Sequence, residues 1–345
     1  QRQMCIRDRI NQALEAQPDE AQLHLQQAEL CLLRGDLHRG FLELEWRHNR
    51  SAQPLRNGFF THLTPWAGPD EQGPLALIAE GSLGDTLLLS RYAPWIQSQF
   101  CKPVLLYVQP PLVQLLRNSL EPAVTVRPIG DLPNQHGGTW LSLLSAPSIF
   151  GTCQEHKALG IPHLRVAPQL LEYWQMQLHE QVEQKIIGIN WHGSALNSLS
   201  ERHCSDIPLD RFEPLAMLPN VRLVSLQKGT GSEEMKQCSF SHRFVECQPE
   251  ISREFRLEHI AAVMAQCDWI VSDDSGPAHL AGNLGIPSLV LLPERINWRW
   301  ASTDGHSPWY PTSRLFQKGP EQGWEPVMLR ACKRISETVR AKPTM

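Results

Sequence analysis

Leu75-Ala76-Leu77-Ile78-Ala79-Glu80-Gly81-Ser82-Leu83-Gly84-Asp85-Thr86 runs from a short apolar segment through a glycine loop into the start of a helix. The same grammar returns at Trp269-Ile270-Val271-Ser272-Asp273-Asp274-Ser275-Gly276-Pro277-Ala278-His279, where Pro277 suits the first turn of a helix. Strand, loop and helix repeated in this way predict parallel sheets covered by helices, because parallel strands need crossovers that bury a sheet face. Working outward, further strands are expected at 104–108, 185–191, 221–225 and 288–292. Helices are expected at 86–99, 169–184, 209–218, 257–266 and 277–284, with a final one at 324–340 long enough to pack back across a domain junction. Residues 120–165, rich in proline and mixed short apolar runs, carry no motif. The fold class is therefore α/β, with two Rossmann-like units in tandem.

Upstream the grammar differs. Residues 21–48 have two apolar-periodic halves broken at Gly35-Asp36, the pattern of a helical hairpin. It resembles a tetratricopeptide repeat: Ala28 and Gly40 fall where two helices approach closely, and Pro18 where a preceding repeat would end. His24 and Gln27 replace the family's large residues, and a hairpin without repeat ancestry is the other reading. The domains read as 1–9, a non-native leader; 10–52, a partial tetratricopeptide-like region; 53–73, a Pro- and Gly-rich linker packed by Phe59, Phe60 and Trp66; 74–184 and 185–323, two Rossmann-like domains; and 324–345, a helix and tail.

Composition narrows the function classes. The chain has 345 residues, more than twice the roughly 150 of an average domain, and is 41% hydrophobic and 20% charged, so it has ample material for a core. A net charge of -4 excludes the uniform basic field of a protein that coats nucleic acid, so no nucleic-acid polymer is expected as a partner. The nine cysteines are dispersed without a C-x-x-C pair, which argues against a disulfide framework and a thiolate zinc site and for the cytoplasm.

The loop at 80–86 spaces its glycines G-x-x-G-D, which fails the dinucleotide fingerprint and lacks the Gly-Lys-Ser/Thr of a P-loop. Gly81 and Gly84 leave a tight turn presenting Asp85 at a helix start, where capping is its plainest role. The loop at 272–279 offers backbone N–H groups at a helix start, an anion site suited to a diphosphate. Its two adjacent aspartates alternate sides of an extended chain, so no metal site is expected. His279 reads equally as a buried, hydrogen-bonded packing histidine.

Gly81-Ser82-Leu83-Gly84-Asp85-Thr86 and Asp274-Ser275-Gly276-Pro277-Ala278-His279-Leu280-Ala281, followed by Leu284-Gly285-Ile286-Pro287, resemble glycosyltransferase family 9, the lipopolysaccharide heptosyltransferase group. The family's D-T-G-x-x-H-L-A-x-A-L-G-x-P stands here as D-S-G-P-A-H-L-A-G-N-L-G-I-P. Arg91-Tyr92-Ala93-Pro94, Ser225-Leu226-Gln227-Lys228-Gly229 and Asn297-Trp298-Arg299-Trp300 look more like the branch fused to tetratricopeptide repeats. The resemblance implies a GT-B architecture and metal-independent, inverting transfer from a nucleotide sugar, with no cofactor. It implies Asp85 as general base, Ser275, Gly276 and His279 on the donor diphosphate, and Asp274 toward sugar hydroxyls.

Without a metal, the leaving diphosphate needs cationic partners. Lys228 is the first candidate, then Arg202 and Arg299, each of which also reads as a solvated surface cation; His192 is a further donor contact. The family's basic loop is altered at 197–206 (NSLSERHCSD), which bears on Arg202 and His203. The acceptor would be a glycan, a lipid-linked sugar or a protein, with a protein partner for the tetratricopeptide region. Two other classes fit the residues: an inactive transferase-like scaffold that binds protein partners, and a GT-B nucleotide-sugar epimerase.

Overall fold

The computed structural model describes residues 2–49, 64–68, 71, 73–131, 138–179, 184–193, 207–302 and 304–340, with side chains from residue 6 to residue 337. Three helices open the chain: α1 (Arg2–Ala16), α2 (Ala21–Leu33) and α3 (Leu37–Leu44). Helix α1 takes in the stretch read as a leader, whose run without Pro or Gly permits helix throughout. The expected hairpin is α2 and α3. Asp36 caps α3 through Arg39 N, and a Cβ at Gly40 would lie 2.5 Å from Leu32 Cγ, so only glycine allows this approach. A 3-10 turn, Glu45–Asn49, follows.

The first sheet contains β1 (Thr64–Pro65), β2 (Leu75–Ile78), β3 (Val104–Val108), β4 (Val124–Pro128) and β5 (Thr139–Ser142), all parallel in the order β1-β5-β2-β3-β4. Two expectations change here. The linker contributes β1, whose Thr64 pairs with Thr139, and the stretch without a motif contributes β4 and β5. The helix expected at 86–99 divides into α4 (Leu83–Leu89) and α5 (Tyr92–Phe100), separated at Ser90 and Arg91. Helices α6 (Val113–Leu120), α7 (Ala146–Phe150) and α8 (Pro168–His179) complete this half.

The second sheet joins β6 (Lys185–Asn190), β7 (Val221–Ser225), β8 (Trp269–Ser272), β9 (Ser288–Leu292) and β10 (Ser313–Gln317) in the order β10-β9-β8-β6-β7, again all parallel. The helix expected at 209–218 is a 3-10 turn, Leu209–Phe212, and one short helix, α9 (Glu213–Ala216). Helices α10 (Gln248–Arg253), α11 (Leu257–Met264) and α12 (Gly276–Leu284) follow, then α13 (Glu325–Arg340). Helix α13 does not cross the junction: Val327, Met328, Ala331 and Ile335 pack with Ile187, Phe212 and Leu289 on the second sheet.

Each sheet reverses its strand order once, between β2 and β5 in the first and between β6 and β8 in the second. Open α/β sheets bind ligands beyond the strand ends at such points. A continuous apolar core runs from Leu32 and Phe41 of the hairpin through Leu77 and Leu106 to Ala278, Val290 and Trp309. The hairpin and one face of each sheet therefore share an interior, while the other face of the second sheet packs separately with α13.

Candidate functional site

Asp85 sits in the first turn of α4, where Ser82 is the helix cap. Ser82 Oγ accepts from Asp85 N, and Asp85 Oδ2 accepts from Ser82 N (2.9 Å) and Ser82 Oγ (2.8 Å), a capping box. Gly81 has φ +89, and a Cβ there would lie 2.6 Å from Asp85 Oδ2, so the loop can fold over its carboxylate only with glycine. The other carboxylate oxygen, Oδ1, accepts from Arg299 Nε at 2.6 Å and from Arg299 Nη2. Burial pushes the Asp85 carboxyl up, but the Arg299 charge and the Ser82 bonds outweigh it and hold the pKa below the usual aspartate value. Asp85 is thus ionised, buried and fully hydrogen-bonded.

Arg299 was expected on the donor diphosphate. It stands instead on the candidate base, with Nη1 donating to Asn297 Oδ1 (2.8 Å) and the guanidinium 4.4 Å from the Trp298 ring centroid. Phe41 of the hairpin meets Trp298 and Trp309 edge-on, with centroids 5.4 and 6.2 Å apart, so the N-terminal helices brace the turn that carries Arg299.

The 272–279 loop lies at the second sheet's reversal. Asn190, the last residue of β6, donates through Nδ2 to Asp273 Oδ1 (2.9 Å) and Ser275 Oγ (3.1 Å), and Ser275 Oγ in turn donates to Asp273 Oδ1. Asp273 is fully buried, and that burial pushes its carboxyl up to about 6 against those bonds. Asn190 and Asp273 were not among the expected site residues. The signal was present in a polar residue closing an otherwise apolar strand. Asp274 and Gly276 are half-buried, and among the described residues a Cβ at Gly276 would meet nothing within 4 Å.

His279 proves to be the buried alternative. It is 3% exposed, Nδ1 pairs with Tyr310 Oη at 2.9 Å, and its ring lies 4.7 Å from that of Trp300. Burial first, and the Arg299 charge second, push its pKa down to about 3, so it is neutral. A Cβ at Gly84 would lie 2.9 Å from His279 Cδ2, which puts the glycine loop of the first sheet against α12 of the second.

Lys228, the first candidate for the diphosphate, is engaged by backbone. Its ammonium donates to the carbonyls of Ile251 and of Ser252 (3.2 Å) in the last turn of α10, 5.2 Å from the Phe255 ring centroid. Burial pushes it down to about 8, with Glu254 opposing. It caps α10 rather than meeting the loop at 272–279. His192 N donates to Gln227 Oε1 (2.9 Å) and His192 Nε2 pairs with Glu234 Oε1 (2.8 Å), beside Asp273. Arg202 and His203 lie outside the described residues. Among the described residues, no group of three or more His, Cys, Asp and Glu is suited to hold a metal ion.

Residues 219–301, from the start of β7 through Arg299, match the family model described as Glycosyltransferase family 9 (heptosyltransferase). Over that segment the chain is similar to glycosyltransferase family 9. The match includes the α12 start, His279 and the Arg299 turn. The fold agrees with it: a family 9 glycosyl transferase from Veillonella parvula DSM 2008 superposes with TM-score 0.52 at 14% identity, covering 78% of this chain and 98% of that one. The ADP-heptose lipopolysaccharide heptosyltransferase II of E. coli gives TM-score 0.51 at 16% identity, covering 76% and 99%. The architecture is of the GT-B type, two parallel sheets covered by helices. No curated relative matches the chain.

Proposed function

We infer that the protein moves a sugar from a nucleotide-sugar donor to an acceptor hydroxyl by a single inverting displacement, without a divalent ion. One observation carries this reading: Asp85 from the first sheet and the start of α12 from the second converge through Arg299 and the Gly84–His279 contact. The acceptor O–H gives its proton to Asp85 as the oxygen lone pair bonds to the anomeric carbon. The bond from that carbon to the diphosphate oxygen breaks, and its electron pair leaves with the nucleoside diphosphate. Ser275, Gly276 and the N-terminal dipole of α12 receive that charge, while Asp274 and His192 face the sugar and nucleotide.

The hairpin favours this enzyme reading over a partner-binding scaffold, because Phe41 is fully buried against the transferase instead of displayed. We place the protein in the cytoplasm on its dispersed cysteines. Among the described residues no helix is long and apolar enough to cross a membrane. The test is a thermal-shift panel of nucleoside diphosphates and nucleotide sugars, including ADP-heptose, followed by transfer assays on the best binder. A shift with one nucleotide diphosphate family, and turnover that survives EDTA, are expected. Turnover abolished by EDTA and restored by magnesium or manganese contradicts the metal-free mechanism.

A further inference from the structure

The geometry points to Arg299 as a gate on the base: it masks Asp85 until a nucleoside diphosphate at the start of α12 draws the guanidinium away, so that donor loading exposes Asp85 to the acceptor. This rests on the transferase reading above. The Asp85 carboxylate accepts four hydrogen bonds, two from Arg299 on Oδ1 and two from Ser82 on Oδ2. A carboxylate so occupied has no oxygen to offer an acceptor hydroxyl. Ser82 belongs to the helix cap and stays with it; Arg299 is the removable partner.

The cation has a competing destination. Arg299 lies close enough to α12 for its charge to act on His279, and the next residue, Trp300, faces the His279 ring. The other groups around Asp85 do not compete for it: His279 is buried and neutral, Arg91 is bound to backbone carbonyls and Asn283, and Glu80 is held by Arg47. A diphosphate carries more negative charge than one carboxylate and lies on a helix N-terminus, so it outbids Asp85 for the guanidinium. The same move places positive charge where the leaving group develops negative charge. The proton then goes from acceptor oxygen to Asp85, and the anomeric C–O electron pair goes to the diphosphate beside Arg299. Acceptor activation therefore follows donor binding.

The gate predicts an unusual mutant. If Asp85 and the diphosphate compete for one cation, removing the carboxylate leaves Arg299 wholly to the ligand. Isothermal titration with the tightest binder among ADP, GDP, UDP and CDP, and with the matching monophosphate, reads this without turnover. Asp85→Asn is expected to bind the diphosphate roughly tenfold more tightly than wild type, the equivalent of one charge-assisted hydrogen bond, with a smaller gain for the monophosphate. Arg299→Met in the same background should erase the gain. Asp85→Ala, which removes the carboxylate differently, should repeat it, and thermal melts establish that each variant is folded. Unchanged or weaker diphosphate binding in both folded Asp85 variants overturns the gate and leaves the transferase reading standing. Failure of the wild type to bind any of the four diphosphates overturns that reading, and the gate with it.

Discussion

At the scale of single residues, the two loops divide labour according to their surroundings. Asp85 is held ionised by Arg299 and Ser82, whereas burial pushes the equally buried Asp273 carboxyl up to about 6 against its bonds from Ser275, Asn190 and Ser272. Asp85→Asn is expected to reduce transfer roughly a hundred- to ten-thousand-fold, the usual contribution of a general base, with the melting temperature measured in parallel. Near-normal turnover in a folded Asp85→Asn protein would return Asp85 to its capping duty alone. Gly276→Val addresses the other loop. Among the described residues nothing lies within 4 Å of a Cβ there, which lets the fold accept valine, so lost diphosphate affinity reports a blocked ligand, and unchanged calorimetric affinity would move the donor elsewhere. The motif residues of both loops were legible because each motif is local. The Arg299–Asp85 pair was not, since 214 residues separate its members and only the docking of the two sheets joins them.

At the scale of elements, the 3-10 turn after α3 decides what the first sheet can bind. Arg47, 3% exposed, reaches the reversal between β2 and β5, where Nε donates to Glu80 Oε1 (3.0 Å), Nη2 to Ser145 Oγ (2.7 Å) and Nη1 to Glu45 Oε1 (2.7 Å). The space at the first sheet's reversal, immediately before the Gly81 loop, is occupied by the Arg47 side chain. Arg47→Met would leave the Glu80 and Glu45 carboxylates without their cation, and a loss of about 3–5 kcal/mol in urea unfolding is expected; a loss below about 1 kcal/mol would deny the clamp its role. Burial raises the Glu45 carboxyl, but His48, Arg47 and Ser145 outweigh it and bring it from 4.5 to about 2. A depressed carboxyl stabilises the fold above its unfolded pKa and loses that contribution as pH falls through the folded one. Stability should therefore decline between about pH 4.5 and pH 2, and less steeply in Glu45→Gln. The sequence showed the strands buried on both faces, such as β2 and β9, as continuous apolar runs. It hid β4 and β10, edge strands with partly exposed residues, and β5, four residues amid prolines and glycines, because edge and short strands lack that continuous run.

At the scale of the whole molecule, the junction is a bonded interior rather than a loose hinge. Arg91, between α4 and α5, donates to Trp309 O (2.9 Å), Leu159 O and Asn283 Oδ1 (2.8 Å), while Asn283 Nδ2 donates to Leu87 O (2.8 Å). His163 Nε2 pairs with Ser90 Oγ at 2.8 Å, and burial, followed by the Arg91 charge, keeps it neutral. Asn283→Ala takes the partner of the buried Arg91 Nη2, while Leu87 O keeps Ser90 Oγ, so a loss of about 1–3 kcal/mol for the one group left unpaired is expected. Because one apolar core joins hairpin and sheets, the loss should appear as one shifted unfolding transition, the same by tryptophan fluorescence and circular dichroism; a separate early transition would mean that the domains fold independently. The hairpin was legible as two helices, but not its burial against Trp298 and Trp309, which arises only when both domains are in place. On the transferase reading, this junction brings a nucleotide-sugar site at the β6–β8 reversal to Asp85. A crystal structure of the protein with its tightest-binding nucleoside diphosphate tests it most directly. Phosphate oxygens are expected on the Ser275 and Gly276 N–H groups with the terminal phosphate facing Asp85; a nucleotide seated anywhere else would overturn the transferase reading of this junction.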